Sequence, residues 1–289
     1  MRIFNLILTL PFLFIGQGIQ AQTSGCTDPL ASNYNSSATV NDGSCTYLSA
    51  NAVSVAEILL PDILPETSGL IHWNNGIWTH NDSDDSNIYS LDTISGAVLQ
   101  SFALTGIVNT DWEEISEDMD YIYIGDFGNN FSGNRSDLKI LKVSKASVLA
   151  GKPEVEFINF SYPDRVTFDR AEPNNTDFDC EAMVVSKDSI YLFTKQWVSS
   201  GTALYSLPKT GGTHVAKLKS VYNVRGLITG AVYLEPERLI ALCGYNKILE
   251  PFIFLLYDFQ GTDFFGGNKR KISVELPYHQ VEAITTADG

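Results

Sequence analysis

Four glutamates recur at the starts of similar segments, Glu66, Glu114, Glu181 and Glu282, with Thr229 in the equivalent place of a fifth. The intervals between them are 48, 67, 48 and 53 residues. A second set, Asp82, Asp126, Lys195 and Asn246, falls where the following hairpin returns. If the two sets converge, so many like charges cannot all stay ionised without a counter-charge, because repulsion and desolvation both favour the protonated carboxyl. Lys195, shared protons or a bound cation can supply the balance. The donors are carboxylates, amides and backbone carbonyls, which are hard oxygen ligands, so calcium is the expected cofactor, with Glu66, Glu114, Glu181 and Glu282 as its ligands. The competing reading needs no ligand: each glutamate caps backbone N–H groups of a neighbouring segment and locks the array.

Other chemistries find less support. His72, His80, His214 and His279 show no zinc-ligand spacing. His80, beside Asn81 and Asp82, is either a site residue or a hydrogen-bonded structural histidine. No G-x-S-x-G, P-loop or dinucleotide fingerprint is present. A phosphate substrate needs several convergent cations, and only Lys195, Arg135 and Arg225 are candidates. The loop Asp126-Phe127-Gly128-Asn129-Asn130 reads as a ligand loop or as a tight turn. Trp78, Trp112 and Trp197 read as packing residues or, at a channel mouth, as a surface for stacking on a sugar.

The elements that must position these residues are strands. Each unit has an acidic start (PETSGL, DWEEIS, DCEAMVV, ITGAVYL, QVEAITT), then a returning hairpin strand (GIWTHNDS, YIYIGDFGNN, SIYLFTKQW, RLIALCGYNK). Runs of four to seven residues alternate apolar with small or polar side chains, which is the strand signature. LKILKVS, TALYSLP and FIFLLYDF follow as outer strands. Helical periodicity is confined to one turn near residues 145–151. Similar units at this spacing fit the four-stranded blades of a propeller, whereas the strands of a sandwich do not repeat one another. In a propeller the first strand of each blade lines the central channel and the second runs beside it, so both residue sets meet at one rim. The fold expected is therefore all-β, a five- or six-bladed β-propeller. Its last start has no hairpin partner, so the propeller is read as cut short at the carboxyl end, with residues 53–60 as an early strand completing the closing blade.

The chain has 289 residues, 19 of them basic and 34 acidic, for a formal charge of −15. Nucleic acid and anionic membranes are thereby disfavoured as partners. Residues 1–21 have Arg2, an apolar run and a small residue at Ala21, the pattern of a cleaved secretory leader, too short for a membrane span. Residues 22–49 form a small module bracketed by Cys26 and Cys45, which in an oxidising compartment are expected to pair. Asp28, Asn33, Asn41 and Asp42 within it are either calcium ligands or Asx-turn residues. Cys180 and Cys243, far apart in sequence, read as two buried thiols or as a second bridge. Lys269-Arg270-Lys271 reads as a solvated edge.

The pattern GCTDPxAxNY…DGSCxY resembles a short module of bacterial surface proteins exported by type IX secretion. PETSGL, WTHNDS, DWEEI, YIGDFGNN, DCEAMVV, LFTKQW, TGAVY, DFFGGNKRKI and QVEAIT together resemble a family of secreted bacterial β-propellers, distantly similar to phytase-like and strictosidine-synthase-like proteins. The resemblance implies a Gly where this chain has Asp84, in the turn of WTHNDS. Together these readings predict a leader (1–21), a disulfide-stapled module (22–49) and a propeller with an incomplete last blade (50–289). The protein is expected to be a secreted or cell-surface monomer that binds an extracellular small molecule, glycan or protein, with calcium at an acidic channel. The alternative is a calcium-dependent hydrolase of phosphoesterase or lactonase type.

Overall fold

The computed structural model describes residues 22–286; the expected leader lies outside the described residues. Four antiparallel sheets of similar plan succeed one another along the chain in a propeller arrangement. Blade 1 is Ile71–Trp73, Gly76–Thr79, Asn87–Leu91 and Val98–Ala103. Blade 2 is Trp112–Glu117, Tyr121–Asp126, Lys139–Ser144 and Val155–Ser161. Blade 3 is Asp179–Val185, Ser189–Lys195, Thr202–Pro208 and Lys217–Tyr222. Blade 4 is Leu227–Leu234, Leu239–Tyr245, Pro251–Tyr257 and Asn268–Val274.

The first strand of each blade faces a central cavity of about 130 Å³, lined among others by Ile71, Glu117, Val185, Ala231 and Thr285. The inner strand of blade 3 is buried throughout and those of blades 2 and 4 over their first four and five residues, so that even Glu113, Glu114 and Glu181 lie inside the fold. Between blades the core is continuous. Trp78 and Trp112 pack with Ile115, Ile122 and Leu141 between blades 1 and 2. Tyr123, Phe160, Met183 and Tyr205 fill the seam between blades 2 and 3, and Phe193, Phe254, Phe259 and Phe264 that between blades 3 and 4. Fully burying each of these side chains contributes roughly 2–3 kcal/mol.

Several expectations change here. Residues 53–60 form no strand; instead Asn51–Ala52 adds in parallel to the outer strand of blade 4, pairing Ser273 with Asn51. Gly212–Val215 likewise adds in parallel to Val155–Ser161, tying the chain of blade 3 to the outer edge of blade 2. Residues 280–286 run along the inner strand of blade 4 without forming a ladder, and the Thr229 hydroxyl donates to the Val281 carbonyl. The expected helical turn is the short helix Lys145–Leu149, whose Ser144 N-cap Oγ accepts from Ser147 N.

The amino-terminal module is stapled by Cys26–Cys45, with Cα atoms 4.8 Å apart. Its four candidate calcium ligands all hold the module's own backbone, three in local turns and Asn33 across to the backbone on either side of Cys45. Asp28, Asn33, Asn41 and Asp42 each accept from a backbone N–H, those of Leu30, Thr46, Gly43 and Ser44. The module also docks on blade 4: the Asp28 carboxylate accepts from Tyr47 (2.7 Å) and Tyr257 (2.6 Å), and Asn41 donates to Asp258 (2.7 Å). Lys269, Arg270 and Lys271 lie in the outer strand of blade 4, on the stretch that Asn51–Ala52 does not pair, with Lys271 exposed. Lys269 donates to the carbonyls of Phe265, Gly267 and Gly43, and Arg270 stacks on Tyr47. Cys180 and Cys243 are buried free thiols. Among the described residues no helix is long and apolar enough to cross a membrane.

Candidate cation site at the channel mouth

The site is built by a shared irregularity. In blade 2 Trp112 pairs with Asp126 and Glu114 with Gly125; in blade 3 Cys180 pairs with Thr194 and Ala182 with Phe193. In blade 4 Ile228 pairs with Gly244 and Gly230 with Cys243. One residue is therefore extra on each inner strand: Glu113, Glu181 and Thr229. Such a bulge kinks the strand and re-aims the side chain of the extra residue. Glu113, and not Glu114, is thus the structural counterpart of Glu181.

Glu113, Asp179 and Glu181 each bring a carboxylate oxygen within 4.8 Å of the others. All three side chains are buried. Glu181 Oε1 accepts from Lys195 Nζ at 2.9 Å, and Lys195 lies under the Trp197 ring, 4.5 Å from its centroid. Asp179 accepts from Asn129 N (2.6 Å) and from Trp197 Nε1 (2.7 Å). Gly128 lies directly beneath the carboxylates of Glu113 and Asp111, where a Cβ would collide with both. Burial, then the charges of Glu181 and its acidic neighbours, holds the carboxyls of Glu113 and Asp179 well above the usual range. Asp111 is pushed up to about 7 by burial, against the opposing charge of Arg135. Three carboxylates and one ammonium leave a net charge of −2 when all are ionised. The triad could hold a metal ion, and a divalent cation would neutralise it without further protons.

The eight residues singled out from the sequence separate into two groups. Glu66, Asp82, Glu181, Lys195 and Glu282 influence one another electrostatically. The charge of Asp82 raises the Glu66 carboxyl, and Glu282 is pushed up to about 7 by burial and then by Glu181. Glu114, Asp126 and Asn246 are engaged elsewhere. Glu114 is fully buried and accepts from Ala231 N of blade 4 (2.8 Å) and from Ile115 N (3.0 Å), so it caps backbone between blades. Asp126 is ion-paired with Arg135 and Lys139, both at 2.7 Å. Asn246 closes its own turn, accepting from Ile248 N and Glu250 N.

His80 is fully buried, its Nδ1 3.0 Å from the Asn81 carbonyl, and burial pushes its pKa down to about 4. Trp78 and Trp112 are packing residues, while Trp197 is half-buried at the rim. The residues that the sequence reading passed over are Asp111, Glu113 and Asp179. Their signal was present as a repeated D-x-E triplet, Asp111-Trp112-Glu113 and Asp179-Cys180-Glu181. Matching on the aspartates instead of the second glutamate aligns the two bulges.

The fold is an all-β propeller arrangement of four described blades with a buried acidic cluster between blades 2 and 3. No protein-family model and no curated protein sequence matches the chain. Among solved structures it is similar to a quinoprotein alcohol dehydrogenase-like protein of Bacteroides thetaiotaomicron (14% identity, 71% of this chain, 45% of that chain, TM-score 0.34). It is also similar to a protein from Lactobacillus plantarum (11%, 72%, 55%, 0.37) and to apo AztD from Citrobacter koseri (12%, 73%, 63%, 0.37). The chain spans about half the length of the first two.

Proposed function

We propose that this protein is an extracellular β-propeller that binds a small molecule, glycan or protein at its acidic channel mouth, with a divalent cation held by Glu113, Asp179 and Glu181. The observation that carries this reading is the convergence of three buried carboxylates from two blades on a single ammonium. Calcium suits the oxygen donors, and Glu66, Asp82 and Glu282, which feel one another's charge and, through Glu282, that of Glu181, add to the negative field around it. Export is supported by the composition of residues 1–21 and by the Cys26–Cys45 bond. Residues 280–286, QVEAITT, resemble the DCEAMVV start of blade 3 and lie along blade 4, which supports a propeller of five or six blades.

The decisive measurement is the melting temperature with calcium, with magnesium and with chelator. A cation that binds only the folded chain stabilises it by about 2.7 kcal/mol at a hundredfold excess over Kd. The expected result is a calcium-dependent rise that Glu113→Gln and Asp179→Asn remove and Glu114→Gln leaves intact. An unchanged melting temperature in all metals would overturn the cation and leave Lys195 and shared protons to balance the carboxyls. The second reading, a cation-dependent hydrolase, is favoured by the presence of Asp111 and Glu282 as further carboxyls, beyond the proposed ligands, that feel the charge of Glu181 and could serve as an acid or base. Turnover of phosphoester or lactone substrates, lost in Glu282→Gln with calcium binding retained, would establish it.

A further inference from the structure

The cations carried by the loops at the strand ends are not equivalent. Arg135 is engaged by Asp126 and Asp137, and Lys195 by Glu181. Arg225 and Lys247, by contrast, form no ion pair among the described residues. Both line one cleft of about 400 Å³ between blades 3 and 4, together with Ser199, Ser200, Asn223 and Asn246. No carboxylate lines it, in a chain whose net charge is −15. The acids of the same loops are occupied by neutral donors: Asp177 by Val198 N, Ser199 N and the Ser199 hydroxyl, and Glu250 by the Asn246 amide.

The cleft is also held in shape. Arg225 and Ser200 both adopt left-handed backbone, φ 53° and 54°, which costs a non-glycine residue about 1–2 kcal/mol. The two turns are joined where Gly226 N donates to the Ser200 carbonyl at 3.1 Å, and Arg225 N donates to Asn223 Oδ1 at 2.9 Å. Beneath them Lys271 Nζ donates to the carbonyls of Val224 (2.9 Å) and Arg225 (3.0 Å) while lying 3.6 Å from the Phe252 ring centroid. A third positive charge thus supports the turn that presents Arg225, and no acid offsets it.

We propose that this cleft binds the oxyanion group of a ligand, a carboxylate, sulfate or phosphate ester, with Arg225 and Lys247 as its direct charge partners and Ser200 and Asn223 as neutral donors. A guanidinium offers the planar, bidentate geometry that such groups take, and an unpaired ammonium beside it adds charge. The inference does not depend on the cation site, which lies on a different set of side chains.

The test uses the full chain in excess chelator, so that no metal ion contributes. Sodium phosphate, sodium sulfate and sodium acetate are titrated by calorimetry against sodium chloride of equal ionic strength, and their order of affinity identifies the oxyanion class. Saturable binding of at least one is expected, with Arg225→Asn and Lys247→Gln each weakening it about tenfold or more, the loss of one charge-assisted contact. Asn is chosen at position 225 because it tolerates left-handed backbone. Lys187→Gln and Lys219→Gln, which remove the same charge elsewhere, should leave binding unchanged. Melting temperatures without anion report whether each variant folds. The proposal is overturned if no anion binds beyond the chloride control, or if folded Arg225→Asn and Lys247→Gln bind as tightly as the parent chain.

Discussion

Glu113 and Glu114 are adjacent, both buried, and have different tasks. Glu113 faces the acidic mouth, while Glu114 accepts N–H groups from its own strand and from blade 4. Replacing Glu114 with Ala leaves those donors buried without partners and should cost on the order of 3 kcal/mol in denaturant unfolding. Glu114→Gln keeps an acceptor and should cost less. Burial raises the Glu114 carboxyl well above its ordinary value, so its protonated form favours the fold at low pH and that contribution is lost as pH rises from the unfolded carboxyl value toward the folded one. The Gln variant should be less sensitive to pH over that window. His80 has the opposite sign. Its folded pKa of about 4 lies below the ordinary 6.5, so its contribution is complete above 6.5 and is lost as pH falls toward 4. That loss is on the order of 3 kcal/mol, and comparing acid unfolding of the parent and His80→Gln should reveal it as a flatter profile in the variant. Asp84 sits at φ 72°, and its charge raises Glu66 further. Asp84→Gly should therefore stabilise the chain by about 0.5–1 kcal/mol, read as a higher melting temperature.

The bulge governs what can be read at the level of the strand. Inner and second strands were legible because their turns repeat; LKILKVS, TALYSLP and FIFLLYDF were legible as strands from their apolar content, but they are third strands and not the outer ones expected. The fourth strands were not, since Val98–Ala103 and Lys217–Tyr222 are mostly exposed and carry too little apolar periodicity. The candidate site was half legible. A bulge inserts one residue without altering composition, so aligning Glu114 with Glu181 preserved the strand pattern while moving the chosen side chain by one position. Gly128 belongs to the same construction, because the DFGNN loop must pass beneath two carboxylates. Gly128→Ala should displace Glu113 and Asp111 and reduce the calcium response of the melting temperature more than it reduces the melting temperature in chelator.

At the scale of the molecule the amino-terminal module is part of the propeller's flank. Its carboxylate Asp28 is shared by Tyr47 and Tyr257, whose hydroxyls also meet at 2.9 Å. Tyr257→Phe should loosen this contact while sparing the blades. Limited proteolysis is expected to release residues near the module faster than in the parent chain, with the main melting transition little changed.

The carboxylate of Glu114 reaches a backbone amide 117 positions away. Closing so long a loop is entropically slow, and the donor belongs to blade 4, synthesised after blades 2 and 3. A nascent chain in which only those two blades have emerged holds an acid whose second partner does not yet exist. The contact that joins blade 2 to blade 4 therefore forms only once Ala231 has emerged, late in assembly rather than as its nucleus.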